Sequence, residues 1–219
     1  VGATHNAPMK QVACVLTLAF ALASPASAQD AGSVATGPAT AAPEKGDRVD
    51  RPAGNLDERR AQRLDLMFAR LAKTTDERRA NRIARHIMRR MSQSGSDTVD
   101  FLMLRAGEAL QTKDFGLALD LLDGVVRLKP DFAEGWNRRA TVHFMMGDYG
   151  QSIADIEQVL IREPRHWGAL AGLSMILVSL DRKAEAVVVM DEALAVHPFL
   201  SRMKQRRDKI AQEIEGADI

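Results

Sequence analysis

The sequence predicts an all-α protein built as an array of stacked helix hairpins, and three observations carry the prediction. Pro130, Pro164 and Pro198 stand 34 residues apart, twice over. Columns of small and of bulky apolar residues recur between them at the same spacing, and each unit has a polar break near its middle. A fixed period of this length marks a repeat array whose units cannot bury their apolar faces alone.

On that period the units are Val99 to Phe132, Ala133 to His166 and Trp167 to Leu200. The eighth place holds Ala106, Ala140 and Ser174, and the twentieth holds Ala118, Ser152 and Ala186. Small residues at these places let two antiparallel helices approach closely. The fourth place (Leu102, Trp136, Leu170) and the twenty-fourth (Leu122, Ile156, Met190) fill the space beside that contact. The breaks at Lys113-Asp114-Phe115, Gly147-Asp148-Tyr149 and Asp181-Arg182-Lys183 turn the chain between helices. Each proline ends a second helix, because it lacks an amide donor and disfavours helix at the residue before it.

Trp136, Ala140, Gly147, Asp148, Tyr149 and Pro164 of the second unit resemble the tetratricopeptide repeat pattern, and the resemblance covers Val99 to Leu200. It implies a right-handed α-solenoid: three repeats, a degenerate N-terminal helix pair and a C-terminal capping helix. The seventh place departs from the family's usual leucine with Arg105 and Arg139. The eleventh departs from its usual tyrosine with Ala109, His143 and Leu177. Local repacking accounts for both. The string from Ala133 to Ala140, with Pro164-Arg165-His166, is similar to small exported periplasmic tetratricopeptide proteins of alphaproteobacteria.

In this family the first helix of each unit lines a concave groove. Carried over place by place, the resemblance implies a partner-binding groove of Met103, Leu110, Asn137, Arg138, Thr141, Phe144, Met145, Ala171, Met175 and Val178, beside Asp100 and Glu134. The lining is largely apolar and rich in methionine, which adapts to varied apolar partners. Two readings stay open: a peptide or helix of a partner protein lies there, or the C-terminal helix or the N-terminal tether fills it. Family members that clamp a partner's C-terminal carboxylate use lysine, asparagine and arginine at set places. Here Met103, Gly107, Gly168 and Gly172 stand instead, which disfavours that mode.

Counting back one period from Val99 gives a degenerate pair of helices over 56–98, with Phe68, Leu71, Ala72, Ala84, Met88 and Met91 in repeat columns but no mid-unit break and no final proline. The expected helices run near Leu56 to Lys73 and Asp76 to Ser92, the second capped by Thr75-Asp76-Glu77. After Pro198, 201–219 reads as one more amphipathic helix with Met203, Ile210 and Ile214 inward. From Gln29 to Asn55 the chain is Ala, Gly, Pro and Thr with almost no large apolar residue, the composition of a disordered tether. Met9-Lys10, the apolar run Val12 to Ala23 and Ala26-Ser27-Ala28 form an export signal, cleaved after Ala28, with Met9 as the expected start. Periplasmic location follows from that signal. Without it the chain carries 29 basic and 29 acidic residues and no cysteine, so no disulfide forms and no strongly charged general partner is implied.

Arg78, Arg82, Arg85 and Arg89 form one stripe on the second N-terminal helix, opposite Ala80, Ile83, Ala84, Ile87 and Met91. The stripe suits either a solvated face or contact with an anionic surface: phospholipid head groups of a membrane, a lipopolysaccharide phosphate or an acidic protein patch. Nucleic acid is not expected, since stacking aromatics are missing there. His86, His143, His166 and His197 share no metal-ligand spacing, and neither a Gly-rich phosphate loop nor a nucleophile motif occurs, so neither catalysis nor a cofactor or metal is expected. His166 and His197, at repeat ends, are expected to cap helix carbonyls. Arg139 occupies a core column and requires a carboxylate from Asp120, Asp123 or Asp155. The functional expectation is a non-catalytic envelope scaffold for protein contact. A membrane-surface adaptor or an accessory subunit of an envelope enzyme is the alternative.

Overall fold

The structure, a computed structural model, describes residues 54–217. The export signal (1–28) and nearly all of the tether (29–55) lie outside the described residues. The first helix begins at Gly54, two residues ahead of the expected boundary.

The described residues form nine helices and no strand. The N-terminal pair is α1 (Gly54–Lys73) and α2 (Glu77–Met91). The repeats are α3 (Asp97–Gln111) with α4 (Phe115–Leu128), α5 (Ala133–Met146) with α6 (Tyr149–Arg162), and α7 (Trp167–Ser179) with α8 (Lys183–Val196); α9 (Ser201–Ala217) follows. Second helices end two residues before each proline. Within each unit the turn places its fifteenth residue in the left-handed region: Lys113 at φ 60°, Gly147 at 80° and Asp181 at 58°. The next residue is the N-cap of the second helix, and Asp114 and Asp148 there each accept a backbone N–H. Only Gly147 adopts this conformation without a Cβ penalty.

The small columns are the tightest contacts. Ala106, Ala140, Ser174, Ala118, Ser152 and Ala186 are all buried, and Ser152 Oγ donates to the Ala140 carbonyl at 2.8 Å, binding the twentieth place to the eighth. Leu122, Ile156 and Met190 are buried beside them. The C-terminal helix stacks on α8 with Ile210 buried and Met203 and Ile214 half-buried. Arg207 pairs there with Asp191 at 2.8 Å and Lys183 with Glu213 at 3.0 Å. It extends the stack beyond α8.

The N-terminal pair departs from its expected register. Its buried side chains Phe68, Leu71, Ala80, Ala84 and Ile87 share a core with units two and three, whereas unit one has its own core around Val99, Met103, Leu122 and Val125. Phe68 packs edge-on against Trp167 at 5.9 Å between ring centroids, with the Arg165 guanidinium 4.1 Å from the Phe68 ring centroid. Arg165 also pairs with Asp65 at 2.8 Å, and α1 touches α8. Ala72, placed in a repeat column by counting, is exposed. The reason is local. Gly95 turns at φ 78°, and buried Ser94 donates to Asp100 through both backbone N–H (3.1 Å) and hydroxyl (2.6 Å). That knot redirects the chain where a true repeat would have proline.

Candidate functional site: the first-helix face of the array

A polar cluster on the first helices centres on Glu134, which is buried. His166 caps α7 by accepting the Ala169 N–H on Nδ1 at 3.0 Å, which leaves its Nε2–H to donate to Glu134 Oε2 at 3.2 Å. Asn137 Nδ2 donates to the same oxygen at 3.0 Å, and Arg138 Nε to Oε1 at 3.3 Å. Burial pushes the Glu134 carboxyl up, but the bond and charge of His166 and the adjacent Arg138 outweigh it, so its pKa falls below the ordinary value. The carboxylate is therefore an internal strut that orients Asn137 and Arg138 from below. The expectation that His166 and His197 bind helix carbonyls is corrected. Both rings accept N–H groups through Nδ1, His197 from Phe199 at 3.3 Å, because each is placed to meet the donors of the segment that follows.

Of the expected groove residues, Met103, Gly107 and Arg138 line one cleft of about 330 Å³ with Asp100 and Gln111. An Arg138 nitrogen lies 3.4 Å from where a Gly107 side chain would begin, so that glycine makes room for the guanidinium. Met103 itself is only 6% exposed, a core residue of unit one rather than a free contact. Thr141, Met145 and Met175 are exposed, and Leu110, Asn137, Phe144, Ala171 and Val178 are half-buried. Phe144 is held by Tyr149 at 5.7 Å between ring centroids.

Arg139 binds Asp155 through two bonds and Asp123 through a third, at 2.8, 2.6 and 2.7 Å, which raises its pKa; Asp120 is exposed on α4 and takes no part in this triad. Sequence reading missed Arg162. Its guanidinium and that of Arg139 each lie 4.9 Å from the Trp136 ring centroid, and Arg162 Nε and Trp136 Nε1 both donate to the Pro130 carbonyl. An arginine at the thirtieth place, facing a tryptophan at the fourth, was the available signal.

Arg78, Arg82, Arg85 and Arg89 are all exposed, and none forms an ion pair among the described residues. The other side of α2 is occupied, since Ala80, Ala84 and Ile87 are buried in the protein core. Among the described residues no group of three or more histidine, cysteine or acidic side chains could hold a metal ion, and no helix is long and apolar enough to cross a membrane.

This periodic architecture defines an all-α repeat protein of the helix-hairpin class. A TPR repeat-containing protein of Rhizobium etli is 39% identical over 179 residues, which span 82% of this chain and 86% of that protein. The chain belongs to the tetratricopeptide repeat proteins, a family that in general serves as a non-catalytic scaffold for protein–protein contact. No protein-family model matches it. Among solved structures, the Sgt2 TPR domain of Aspergillus fumigatus superposes with a TM-score of 0.52 at 18% identity, over 56% of this chain and 83% of that one. The first TPR of Spaghetti (RPAP3), bound to an HSP90 peptide, gives 0.52 at 15%, over 55% and 95%. The TPR2B domain of yeast Sti1, in its pHsp70 complex, gives 0.50 at 18%, over 54% and 99%. At these identities the likeness is one of fold.

Proposed function

We propose that this chain is an exported, non-catalytic scaffold of the bacterial cell envelope that holds a peptide or helix of a partner protein against its first helices. The observation that carries this reading is the arrangement around Glu134. A buried carboxylate anchored by His166 presents Asn137 and Arg138 from beneath, and exposed Thr141 and Met145 continue the same helix. Preorganised polar groups beside adaptable methionines suit an amphipathic segment, with the polar groups setting register and the methionines meeting its apolar side. The solved neighbours that hold peptides support the mode, although Met103, Gly107, Gly168 and Gly172 replace the residues of a carboxylate clamp. The partner's contact is therefore internal to its chain rather than a free C-terminus. The export signal and the relative's bacterial origin support the location.

A photo-crosslinking residue at Met145 or Met175, used in intact cells, tests this directly. A discrete adduct that disappears with Asn137→Ala, while helix content stays unchanged, is expected. Absence of any adduct at both sites, or adducts indifferent to Asn137→Ala, overturns the groove reading. Fractionation of the same cells tests location.

The unpaired arginines of α2 favour a second reading, contact with an anionic membrane surface. Because the apolar side of α2 is buried, such contact is electrostatic and does not insert. Binding to anionic vesicles at low salt that is lost with Arg82→Glu and Arg85→Glu supports it. Failure of the wild-type chain to float with such vesicles removes it.

A further inference from the structure

The repeat itself identifies a face that lacks its mate. In unit two, the third, seventh and thirtieth places point back at the preceding unit. A side chain at Gly135 would begin 2.6 Å from Val125, Arg139 reaches Asp123, and Arg162 reaches the Pro130 carbonyl. The sixth place does the same at Gly172, whose side chain would begin 3.5 Å from Ile156. At the third and seventh places unit three buries Ala169 and Leu173. Unit one carries Phe101, Leu104, Arg105 and Leu128 at these places, and nothing among the described residues covers them. Phe101 is 59% exposed, Leu104 60% and Leu128 60%. The N-terminal pair, which counting places here, packs with units two and three instead.

We infer that this face of α3 and α4 is where two copies of the chain meet, head to head about a two-fold axis. Its natural mate is the forward face of a repeat unit. Among the described residues the forward end of this array is covered by α9, whose exposed Arg202, Lys204, Arg206 and Lys209 are polar. Head-to-tail stacking into a filament is therefore blocked, and a second copy reaches the bare face only with its own bare face. Such an isologous contact must be complementary to itself. The charges meet that condition: Arg105 and Glu108 stand one turn apart, paired at 2.7 Å within the chain and half-exposed. Under a two-fold axis each arginine takes the other copy's glutamate while Phe101, Leu104 and Leu128 form the dry centre. Apolar side chains this exposed at the end of a repeat array are otherwise a solubility liability.

Sedimentation of the full chain under reducing conditions, in the micromolar range, decides it. Wild type is expected to be dimeric. Phe101→Glu and Leu128→Glu are expected to weaken association by at least about tenfold with helix content unchanged. Arg105→Glu and Glu108→Arg each weaken it, and the double reversal restores it, a pattern that does not depend on the apolar variants folding. A monomeric wild type overturns the inference, whatever then covers the face. A dimer indifferent to all these changes overturns it equally. Leu104 and Glu108 also line the cleft beside Met103 and Arg138, so the groove is judged separately, by crosslinks from Met145 and Met175 on other helices.

Discussion

Arg139 and Asp155, sixteen residues apart, form a two-pronged ion pair at 2.6 and 2.8 Å, in which the carboxylate is almost fully buried. The pair joins the first and second helices of the central repeat, and Asp123 extends it to the repeat before. An arginine thus replaces the family's leucine at the seventh place by bringing its own counter-charges. The local fold accepts the substitution because both carboxylates sit on second helices facing it.

Breaking the pair from the acidic side leaves a guanidinium with 20% of its surface exposed. Asp155→Ala is expected to lower unfolding free energy by about 3 kcal/mol, the lower end for a broken buried pair. Asp123→Ala, removing a half-exposed carboxylate, costs about 0.5 kcal/mol. Urea midpoints at constant m-value check the ratio.

Glu134 makes a pH-dependent contribution. Its folded pKa is lowered, so its stabilisation is present above the ordinary carboxylate range and disappears as pH falls through the lowered value. Glu134→Gln is expected to cost about 1 to 2 kcal/mol at pH 7 and progressively less in acid. Equal losses at neutral and acid pH would show that shape, not charge, holds His166.

Glu192 behaves in the opposite sense. Burial raises its pKa to about 7, and one of its oxygens is buried without a hydrogen-bond partner. A raised carboxylate contributes stability below its unfolded pKa that is lost as pH rises through about 7. Glu192→Gln is expected to raise Tm by roughly 2 to 4 °C at pH 8 and to leave it unchanged near pH 4. Thermal melts at the two pH values suffice.

The contact of Phe68 with Trp167 and Arg165 carries the docking of the N-terminal pair. Phe68→Ala is expected to cost about 3 kcal/mol. Amides of α1 and α2 should then exchange faster while those of α4 to α8 keep their protection, because the pair opens without unfolding the array. Uniform loss of protection would mean that the two fold as one unit.

Much of the array was legible in residue order. Proline spacing, the small eighth and twentieth columns and the mid-unit breaks each act within one hairpin, where a short stretch of chain contains both partners of the contact. The need of Arg139 for a carboxylate was legible too, since a charge in a core column demands one. Arg162 and the Glu134–His166 bond were not: Arg162 reaches the Pro130 carbonyl of the preceding unit, Glu134 and His166 stand at opposite ends of one unit, and many polar residues offered equally good pairings.

By itself, then, the order of residues determined the repeat, its hairpins and the column of each side chain, since those depend on local periodicity and helix–helix fit. Tertiary structure alone decided that α1 and α2 lie against units two and three and that Phe101, Leu104 and Leu128 stand bare. Counting residues puts a degenerate pair in register with the stack. Where it docks depends on the turn at Gly95 and on which apolar surface offers Phe68 the larger burial, and that comparison exists only in three dimensions.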